Sequence, residues 1–519
     1  MIRDLPFVVA TLARRGLLTP GPPHRMVAQL YALARWGFGL SGELRSAAAR
    51  GSDRVALIDD DRVVTYGELV SRSERLAGSL RDAVRLREGN RIGLLCRNHA
   101  AMVEAMVAAN LLGADAVLVN TGLSATQLAA VAKEQTLRAL VHDDEFASIV
   151  AALPPGVARI DEARLDPLTT RGPGGALPRP GRDGHTIVLT SGTTGTPKGA
   201  RRPTPGGFGP LCSILDRIPM RAGDRMLIAA PLFHTWGYAA LQIAIALRGT
   251  AVLRRRFDPS DTVTTMVEHR CAALFAVPVM IQRLLDAGAP PASRDLRVVA
   301  VSGSALPGGL ATRFMDAYGD VLYNLYGSTE ASWASIATPA ELRRVPGTAG
   351  RPPHGTRVAI LDDAGRSVPN GAVGHIFVGN DMLFEGYTGG PIRDRRAGLL
   401  DTGDVGHVDA AGLVYVDGRE DDMIVSGGEN VFPGEVEDLL AGLPQVRDVA
   451  VIGVPDEEFG QRLAAYLVLR DGERLDADAV RQQVRRNLAR FSVPRDVFFV
   501  AELPRNATGK VVPRDLPRG

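Results

Sequence analysis

Short apolar runs alternate with amphipathic stretches along the chain from about residue 55 to residue 303. The runs, rich in Val, Ile and Ala, span residues 55–60, 92–96, 116–120, 138–143, 186–191, 225–230, 250–255, 271–277 and 296–303. Residues 66–84 and 100–114, which lie between such runs, show helical patterning. Apolar runs of this length separated by helices are typical of buried parallel strands. The pattern predicts an α/β fold with mostly parallel sheets flanked by helices.

The patterning changes from about Gly347. Residues 357–380 and 406–419 hold short strand-like runs broken by turn residues such as DDAG and PNG, which are hairpin signals. This texture predicts a small, antiparallel, β-barrel-like region over about residues 340–417. Upstream, the Pro- and Gly-rich residues 154–184 predict a linker or surface loop.

A third texture begins near Asp421, where helical stretches and apolar runs alternate again. It predicts a smaller α+β unit, and the charged stretch DGREDD, residues 417–422, is the natural boundary. We therefore expect a large N-terminal domain over residues 1–420 and a C-terminal domain over residues 421–519.

Composition narrows the function classes. The chain has 519 residues, 45% of them hydrophobic and 23% charged, with a net charge of +2. No run of basic residues interleaves with aromatic ones, so we expect no nucleic-acid partner. Three cysteines give no disulfide framework and favour a reducing cytoplasm. No segment supplies the roughly 20 apolar residues that a membrane-spanning helix requires.

The N-terminal residues 1–50 carry two apolar stretches, 5–13 and 26–40, with arginines beside them. The first is too short to span a bilayer, and no small-residue cleavage site follows it. The second predicts an amphipathic helix. Two interpretations stay open: a helix packed on the protein's own surface, or a peripheral contact with the inner face of the membrane.

Lysine is scarce in this chain. Of its 60 lysines and arginines, only Lys133, Lys198 and Lys510 are lysines. A lysine kept in such a background is a candidate for a role that a planar guanidinium cannot fill. Lys198 and Lys510 lie in glycine-flanked loops, whereas Lys133 lies in a helical stretch and is expected to be a solvated surface residue.

Lys198 ends a stretch, LTSGTTGTPKGA, that has the composition of a phosphate-binding loop. Glycines let backbone N–H groups converge on an anion, and hydroxyls and an ammonium add donors and charge. The stretch is not a P-loop, because Pro197 precedes the lysine and Gly199 follows it.

The stretch TSGTTGTPKG, residues 190–199, resembles the phosphate-loop signature of the adenylate-forming enzymes. This superfamily includes acyl-CoA synthetases, aryl-CoA ligases, nonribosomal adenylation domains and firefly luciferase. Further signatures of the superfamily follow in order: TYGEL at 65–69, YGSTE at 326–330, DTGD at 401–404, DGREDDMIVSGGENVFPGEVE at 417–437 and LPRNATGK at 503–510. Within the superfamily, we expect the chain to resemble most the bacterial medium- and long-chain fatty acyl-CoA synthetases.

The resemblance implies ATP, Mg²⁺ and coenzyme A, together with a carboxylic acid, as the small molecules bound. Lys198 and the loop before it would hold the β- and γ-phosphates, and Glu330 and Thr190 would coordinate Mg²⁺, a hard ion that prefers oxygen. The remaining loop residues implied at the phosphates are Ser191, Gly192, Thr193, Thr194 and Gly195.

The nucleoside would bind to two other segments. Gly303, Ser304 and Ala305 resemble the segment that packs against adenine, and Tyr326 would stack on the ring. The other nucleotide-binding residues implied by the YGSTE motif are Gly327, Ser328 and Thr329. Asp404 would accept hydrogen bonds from the ribose hydroxyls, with Arg419 beside it.

Lys510 matches the catalytic lysine of the superfamily, which reaches the substrate carboxylate and the α-phosphate. Asp421 matches the hinge about which the mobile C-terminal domain rotates after adenylation. Rotation would withdraw Lys510 and bring in the SGGEN segment, whose Gly427 and Gly428 would line a narrow pantetheine channel.

The acid would bind near PLFHTWG, residues 231–237. Trp236, Gly237 and Val277 are expected to line the acyl channel. His234 is either a structural histidine or a gate between the acyl and CoA sites. The loop lacks the aspartate with which amino-acid-activating relatives bind an ammonium.

The resemblance implies an acid–thiol ligase that forms acyl-AMP and then acyl-CoA. A medium- or long-chain fatty acid is favoured, with an aryl or other acid, or a fatty acyl-AMP ligase that loads a carrier protein, as alternatives. A non-catalytic nucleotide-binding protein is the alternative from another class, and the presence of Lys198, Lys510 and Glu330 opposes it. A homodimer stays open.

Overall fold

The predicted alternation of strands and helices is present in the computed structural model. The structure describes residues 4–171, 177–190, 197–288, 294–389, 394–426, 429–456, 460–506 and 509–517.

The helices of these residues are numbered in chain order. They are α1 (Leu5–Arg14), α2 (Pro23–Trp36), α3 (Leu40–Arg50), α4 (Tyr66–Ala83), α5 (Ala100–Leu111), α6 (Ala125–Glu134), α7 (Ala147–Val150), α8 (Glu162–Thr170), α9 (Gly209–Arg217), α10 (Thr235–Ala246), α11 (Pro259–Glu268), α12 (Pro278–Asp286), α13 (Gly308–Tyr318), α14 (Pro339–Arg344), α15 (Pro433–Ala441) and α16 (Ala477–Asn487).

The strands are numbered in the same way. They are β1 (Val55–Ile58), β2 (Val63–Thr65), β3 (Arg91–Leu95), β4 (Asp115–Leu118), β5 (Leu137–His142), β6 (Ala158–Ile160), β7 (Thr186–Thr190), β8 (Lys198–Arg202), β9 (Arg225–Ile228), β10 (Thr250–Leu253), β11 (Ala273–Ala276), β12 (Val298–Val301), β13 (Leu322–Tyr326), β14 (Ser335–Ala337), β15 (Arg357–Leu361), β16 (Gly374–Gly379), β17 (Gly386–Tyr387), β18 (Arg395–Arg396), β19 (Leu399–Val408), β20 (Val414–Arg419), β21 (Ile424–Ser426), β22 (Glu429–Val431), β23 (Val446–Asp456), β24 (Gly460–Leu469) and β25 (Asp496–Phe499).

Two mostly parallel sheets form the large region. The first has the order β14-β13-β12-β11-β9-β10-β1-β2 and the second the order β17-β8-β7-β4-β3-β5-β6. Only the ends are antiparallel, at β14 and β2 in the first sheet and at β8 and β17 in the second. Central strands such as β4, β10, β11 and β12 are buried at every residue, because helices cover both faces. The predicted α/β class is confirmed.

Local signals in the sequence set several helix starts. Thr65 and Glu68 form a capping box at the start of α4, with the Thr65 amide N–H donating to the Glu68 carboxylate at 2.8 Å. Ser124 and Gln127 do the same at α6. Lys133, near the end of α6, is exposed as expected.

The region after residue 347 is antiparallel, as the turn residues indicate. Strands β15, β16, β19 and β18 pair in that order, and β20 also pairs with β19. The β19–β20 hairpin turns at Gly412, whose φ of 80° is a conformation that favours glycine. This hairpin places Arg419 directly opposite Asp404.

The last part of the chain forms an α+β unit of its own. Strands β22, β21, β24 and β23 form an antiparallel sheet, and β25 adds to β24 in parallel. Its core includes Val436, Leu440, Val480 and Val484 of α15 and α16. The unit contacts the large region through an ion pair between Arg470 and Asp286, 3.6 Å apart.

The prediction of a linker or surface loop over residues 154–184 was wrong for residues 158–170. They contain the edge strand β6 and the helix α8, which is capped by the Asp161 side chain accepting from the Arg164 N–H at 2.9 Å. The helix contains Pro167, which made the segment look like a loop.

Both N-terminal apolar stretches are helical. Helix α1 packs on α9, where the Arg15 guanidinium donates to the Leu215 carbonyl at 2.6 Å. Helix α2 packs on α3 with Ala32, Leu33 and Trp36. Within the described ranges, none of the helices has the length and apolar character needed to cross a membrane.

The three cysteines lie in the interior. Cys96, Cys212 and Cys271 are all buried, and burial raises the pKa of each thiol. They are too well shielded to act as nucleophiles.

Candidate active site

The predicted phosphate loop follows β7 at the carboxyl end of a parallel strand. Thr190 ends β7, and its hydroxyl lies 3.4 Å from the Lys198 carbonyl on β8. The Lys198 ammonium lies 5.9 Å from the centre of the Tyr387 ring. The five other predicted loop residues, Ser191, Gly192, Thr193, Thr194 and Gly195, lie outside the described residues.

Tyr326 and Asp404 meet at a neighbouring point. The Tyr326 hydroxyl donates to a carboxylate oxygen of Asp404 at 2.6 Å, and burial, reinforced by this carboxylate, raises the pKa of Tyr326 well above its usual range. Arg419, opposite Asp404 in the hairpin, lies 3.6 Å from the other carboxylate oxygen. Three of the residues predicted to hold the nucleoside therefore contact one another in series, from Tyr326 through Asp404 to Arg419.

The YGSTE segment makes a tight turn after β13. A Cβ on Gly327 would lie 2.1 Å from the Ser332 carbonyl oxygen, so no larger residue fits there. The Ser328 hydroxyl accepts from the Ala331 N–H at 3.0 Å. Thr329 takes part through its hydroxyl, 2.9 Å from that of Thr235 on α10. The turn thus joins the end of β13 to the start of the helix beside the predicted acyl channel.

Glu330 is buried at the end of this turn. Its carboxylate accepts from the Tyr387 hydroxyl at 2.7 Å, and its carbonyl accepts from the Phe384 N–H at 2.8 Å. Sequence reasoning missed Tyr387, which orients the carboxylate and also faces Lys198. Its place in the short strand β17, paired with β8, could not be read from the local pattern.

Arg202 is the second residue that sequence reasoning missed. It is buried on β8, where its guanidinium donates to the Thr329 carbonyl and, at 2.8 Å, to the Ser332 hydroxyl. Burial lowers its pKa to about 10, while Tyr238 and Glu330 act in the opposite direction. Arg202 therefore binds the turn on both sides of Glu330, at Thr329 and at Ser332. No sequence signal distinguished it from the other arginines of this arginine-rich chain.

Lys510 reaches this site from the C-terminal unit. Although Lys510 is exposed at the surface, loss of hydration lowers its pKa and repulsion from Arg419 adds to this, whereas Asp404, Asp422 and Glu330 favour its charged form. The ammonium therefore lies within electrostatic range of the groups predicted to hold the ribose and Mg²⁺.

The loop that carries Lys510 is held by bonds within the C-terminal unit and lies close to the large region. The Lys510 N–H donates to the Asn506 side chain at 3.0 Å, and Arg505 forms an ion pair with Asp448 at 2.7 Å. Gly509 has a φ of 80°, and a Cβ there would lie 2.4 Å from a methyl group of Val279 in the large region. Close approach of the two lobes thus depends on a glycine beside the lysine.

The predicted acyl-channel residues cluster around the start of α10. Trp236 is buried and donates through its indole N–H to the Ala276 carbonyl at 3.1 Å. A Cβ on Gly237 would lie 2.2 Å from the Pro231 carbonyl oxygen, so this glycine fixes how closely the helix approaches its own loop. Val277 is buried, and its side chain lies 3.5 Å from the Cβ position of Gly303.

His234 precedes α10 and is held neutral. Burial, with a contribution from Lys510, lowers its pKa to about 3. Its Nε2 is buried and has no hydrogen-bond partner among the residues the structure describes. An imidazole that stays neutral at physiological pH is a poor general acid, but its ring can line a substrate channel.

The remaining predicted residues lie around this centre. Gly303 follows β12 with a φ of 102°, and Ser304 and Ala305 continue that turn. Asp421 lies in a short turn of 3₁₀ helix over Glu420–Asp422, directly after β20. Gly427 and Gly428 fall outside the described residues.

Mg²⁺ fits the donor set. Glu330 supplies a buried carboxylate that Tyr387 orients, and Thr190 supplies a hydroxyl at the end of β7. Both are hard oxygen ligands of the kind Mg²⁺ requires, and Mg²⁺ commonly binds one carboxylate together with substrate phosphates.

Comparisons with known proteins agree with this geometry. Residues 44–388 match the family described as AMP-binding enzyme, and residues 435–510 match the AMP-binding enzyme C-terminal domain. A feruloyl-CoA synthase from an Amycolatopsis species is 35% identical over 88% of this chain and 94% of its own. The long-chain-fatty-acid–CoA ligase FadD13 of Mycobacterium tuberculosis is 31% identical over 86% of this chain and 92% of its own.

A solved structure has the same fold. It is the o-succinylbenzoate-CoA synthetase MenE from Bacillus subtilis in complex with its acyl-adenylate intermediate. It superposes with a TM-score of 0.81 at 30% identity, over 92% of this chain and 98% of the other.

Proposed function

The chain belongs to the AMP-binding enzyme family, and on that premise we propose that its substrate is a medium- or long-chain fatty acid. It is an AMP-forming acid–thiol ligase that uses ATP, Mg²⁺ and coenzyme A. The acid is first converted to acyl-AMP with release of pyrophosphate, and the acyl group is then transferred to the CoA thiol.

The electrostatic interaction of Lys510 with Asp404 and Glu330 supports the adenylation step that we propose. A carboxylate oxygen attacks the α-phosphorus, and the bond to pyrophosphate breaks. The nucleophile and the triphosphate are both anionic, so their repulsion must be screened where the new bond forms. The Lys510 ammonium interacts electrostatically with Asp404 and Glu330, the groups proposed to hold the ribose and Mg²⁺. We assign it to the acid carboxylate and the α-phosphate.

Each end of the nucleotide has its own partner in this proposal. Lys198 neutralises the β- and γ-phosphates from the start of β8, and Asp404 accepts the ribose hydroxyls. Tyr326 stacks on the adenine, while its hydroxyl holds the Asp404 carboxylate in place. Mg²⁺, held by Glu330 and Thr190, supplies charge neutralisation at the phosphates when bound.

The second half-reaction needs a different arrangement. The CoA thiolate attacks the acyl carbonyl, and the bond to AMP breaks. We propose a domain boundary between residues 420 and 421, with Asp421 as the hinge. The two family matches, which end at residue 388 and begin at residue 435, leave the boundary between them. Rotation there withdraws Lys510 and admits the segment that contains Gly427 and Gly428 to the thiol path.

Three observations favour a fatty acid. The residues assigned to the acyl channel, Trp236, Gly237 and Val277, have no ionisable side chain, and Trp236 and Val277 are buried. His234 is neutral and therefore compatible with an apolar chain passing beside it. In addition, FadD13, a long-chain-fatty-acid–CoA ligase, is 31% identical.

An aryl acid is the second candidate, because the feruloyl-CoA synthase shares 35% identity with this chain. A flat aromatic acid would also use the space beside Trp236. The two candidates differ in the depth of channel they need, and this difference is measurable with substrates.

The test is a panel of acids from acetate to palmitate, with benzoate and ferulate, assayed for pyrophosphate release and for acyl-CoA. We expect kcat/KM to rise with chain length, since each buried CH₂ contributes about 0.8 kcal/mol, or roughly fourfold. A higher value for ferulate than for every fatty acid would replace the first candidate by the second. Lys510→Ala, assayed with the best acid, is the control for background release.

A further inference from the structure

An apolar surface on α2 faces away from the rest of the protein. On one side of helix α2, Ala32, Leu33 and Trp36 are buried toward α3. The opposite side, which we call the α2 outer face, consists of Met26, Val27, Leu30 and Tyr31, whose residues are 40, 67, 65 and 62% exposed. Four neighbouring large apolar side chains on one solvent-facing helix surface are unusual for a surface with no partner.

The segment around this face is basic. Residues 5–42 contain four arginines and no aspartate or glutamate. Arg35, at the end of α2, lies 3.4 Å from the Tyr31 hydroxyl. Neither Arg25 nor Arg35 forms an ion pair with any residue that the structure describes. Their charges are available to an external anion.

The α2 outer face is additional to the catalytic fold. The family match begins at residue 44, so α1 and α2 precede it. Helix α1 contributes further exposed apolar side chains, Leu5 and Val9, and Leu18 follows in the loop to α2. A structural role alone requires only the inner side of α2.

We propose that the α2 outer face docks the enzyme on a bilayer that contains anionic lipid. The apolar side chains enter the boundary between headgroups and acyl chains, and Arg25 and Arg35 bind lipid phosphates. Tyr31 suits this depth because its ring is apolar and its hydroxyl is polar.

The charge of the surface around α2 favours an anionic bilayer over a second copy of the chain as the partner of this face. In a two-fold symmetric contact, the same face meets itself, so the arginines of two copies would approach one another with no acidic residue between positions 5 and 42 to pair with them. An anionic lipid surface has the complementary charge. The proposal does not depend on which acid the enzyme activates.

Co-sedimentation of the full chain tests the proposal. Vesicles of phosphatidylcholine alone and vesicles that also contain phosphatidylglycerol are the probes. The wild type is expected to bind the anionic vesicles at least about tenfold more strongly, and added salt should weaken this binding. Substituting the α2 outer face is expected to reduce binding at least about tenfold; the variant is Val27→Ser/Leu30→Ser/Tyr31→Ser.

A matched control removes three exposed valines elsewhere and should bind like the wild type; it is Val63→Ser/Val267→Ser/Val373→Ser. Turnover of a water-soluble short acid should be the same in both variants and the wild type, which shows that the fold is intact. Arg25→Gln/Arg35→Gln should reduce only the preference for anionic vesicles.

Equal vesicle binding by the wild type and the α2 variant would overturn the proposal. So would absence of vesicle binding together with a dimer, measured by light scattering, that the α2 variant disrupts, since the face would then be an interface between copies.

Discussion

The hydroxyl of Tyr326 lies 2.6 Å from a carboxylate oxygen of Asp404. The two residues are 78 positions apart, one at the end of β13 and the other in β19. Because the pKa of Tyr326 is raised, the hydroxyl stays protonated and donates. The contact therefore links the proposed adenine and ribose contacts, so that the position of one depends on the other.

Replacing Tyr326 by Phe tests this link. The ring remains, but Asp404 loses a buried donor, and hydrogen bonds to charged groups contribute about 1.5–3 kcal/mol. We expect the KM for ATP to rise about tenfold, with little change in the KM for the acid. Pyrophosphate release against ATP concentration is the measurement. Tyr31→Phe, at an exposed tyrosine, is the control, and an unchanged KM for ATP in Tyr326→Phe would contradict the link.

Lys510→Ala should separate the two half-reactions. Adenylation should fall about 10²-fold or more, because the ammonium that we assign to the α-phosphate is lost. Thioester formation from supplied acyl-AMP should be largely retained, since the lysine is proposed to leave the site before that step. Lys133→Ala, on the exposed end of α6, should behave as wild type in both assays. Equal losses in the two half-reactions would rule out the two-state scheme.

Arg202→Lys tests whether the guanidinium positions the turn that carries Glu330. Lysine keeps the charge but cannot reproduce the planar fork that reaches both the Thr329 carbonyl and the Ser332 hydroxyl. The kcat for adenylation should fall about tenfold, while thioester formation from supplied acyl-AMP changes little. Arg201→Lys, at the preceding position of β8, is the matched substitution. A similar loss in both half-reactions would indicate a general packing defect.

His234→Gln should leave the pH dependence of activity unchanged. The pKa of His234 is lowered to about 3, so the imidazole is already neutral at every pH from about 5 to 8. The measurement is kcat/KM against pH for both half-reactions. A lower rate of thioester formation at every pH is compatible with this prediction, because the imidazole ring would then line the path of the CoA thiol. Loss of an acidic limb in the variant would show that His234 titrates during turnover.

Glu437→Gln should stabilise the enzyme at alkaline pH. Burial raises the pKa of Glu437 from its usual value of 4.5 to about 7. The native state therefore holds a proton that the unfolded chain releases, so this group lowers the free energy of unfolding as pH rises from 4.5 to about 7. Glutamine can still accept from the Val451 N–H, which is 2.7 Å from the carboxylate.

The expected gain at pH 8 is about 1 kcal/mol, discounted from the full shift because the side chain is partly exposed. At pH 4 the variant and the wild type should unfold at nearly the same temperature. Glu473→Gln, at an exposed carboxylate of the same unit, serves as the control. A gain of equal size at pH 4 and pH 8 would mean that the substitution acts through packing and not through the proton.

Much of the fold was readable from the sequence, because parallel strands covered on both sides need unbroken runs of Val, Ile and Ala. Strands such as β11 and β12 are buried at every residue, so their pattern had no polar interruption. Helix α8, within residues 154–184, was predicted to be a loop because it contains Pro167. There, tertiary packing outweighed local propensity.

Only some residues of the candidate site could be predicted from the sequence. Residues in signature motifs, such as Asp404 and Lys510, could be proposed from the sequence because their neighbours in sequence are distinctive. Arg202 and Tyr387 could not, because their importance arises from contacts across the chain, to residues 127 and 57 positions away. A residue that acts by orienting another leaves no local pattern when its own type is common.

The burial of Cys96, Cys212 and Cys271 has a practical consequence for watching the enzyme turn over. Thiols so well shielded should ignore maleimide dyes under native conditions, so two cysteines introduced on the surface of opposite lobes would carry the only fluorophores. Energy transfer between such dyes would report each rotation of the C-terminal domain in single molecules. The three native cysteines would not have to be replaced first.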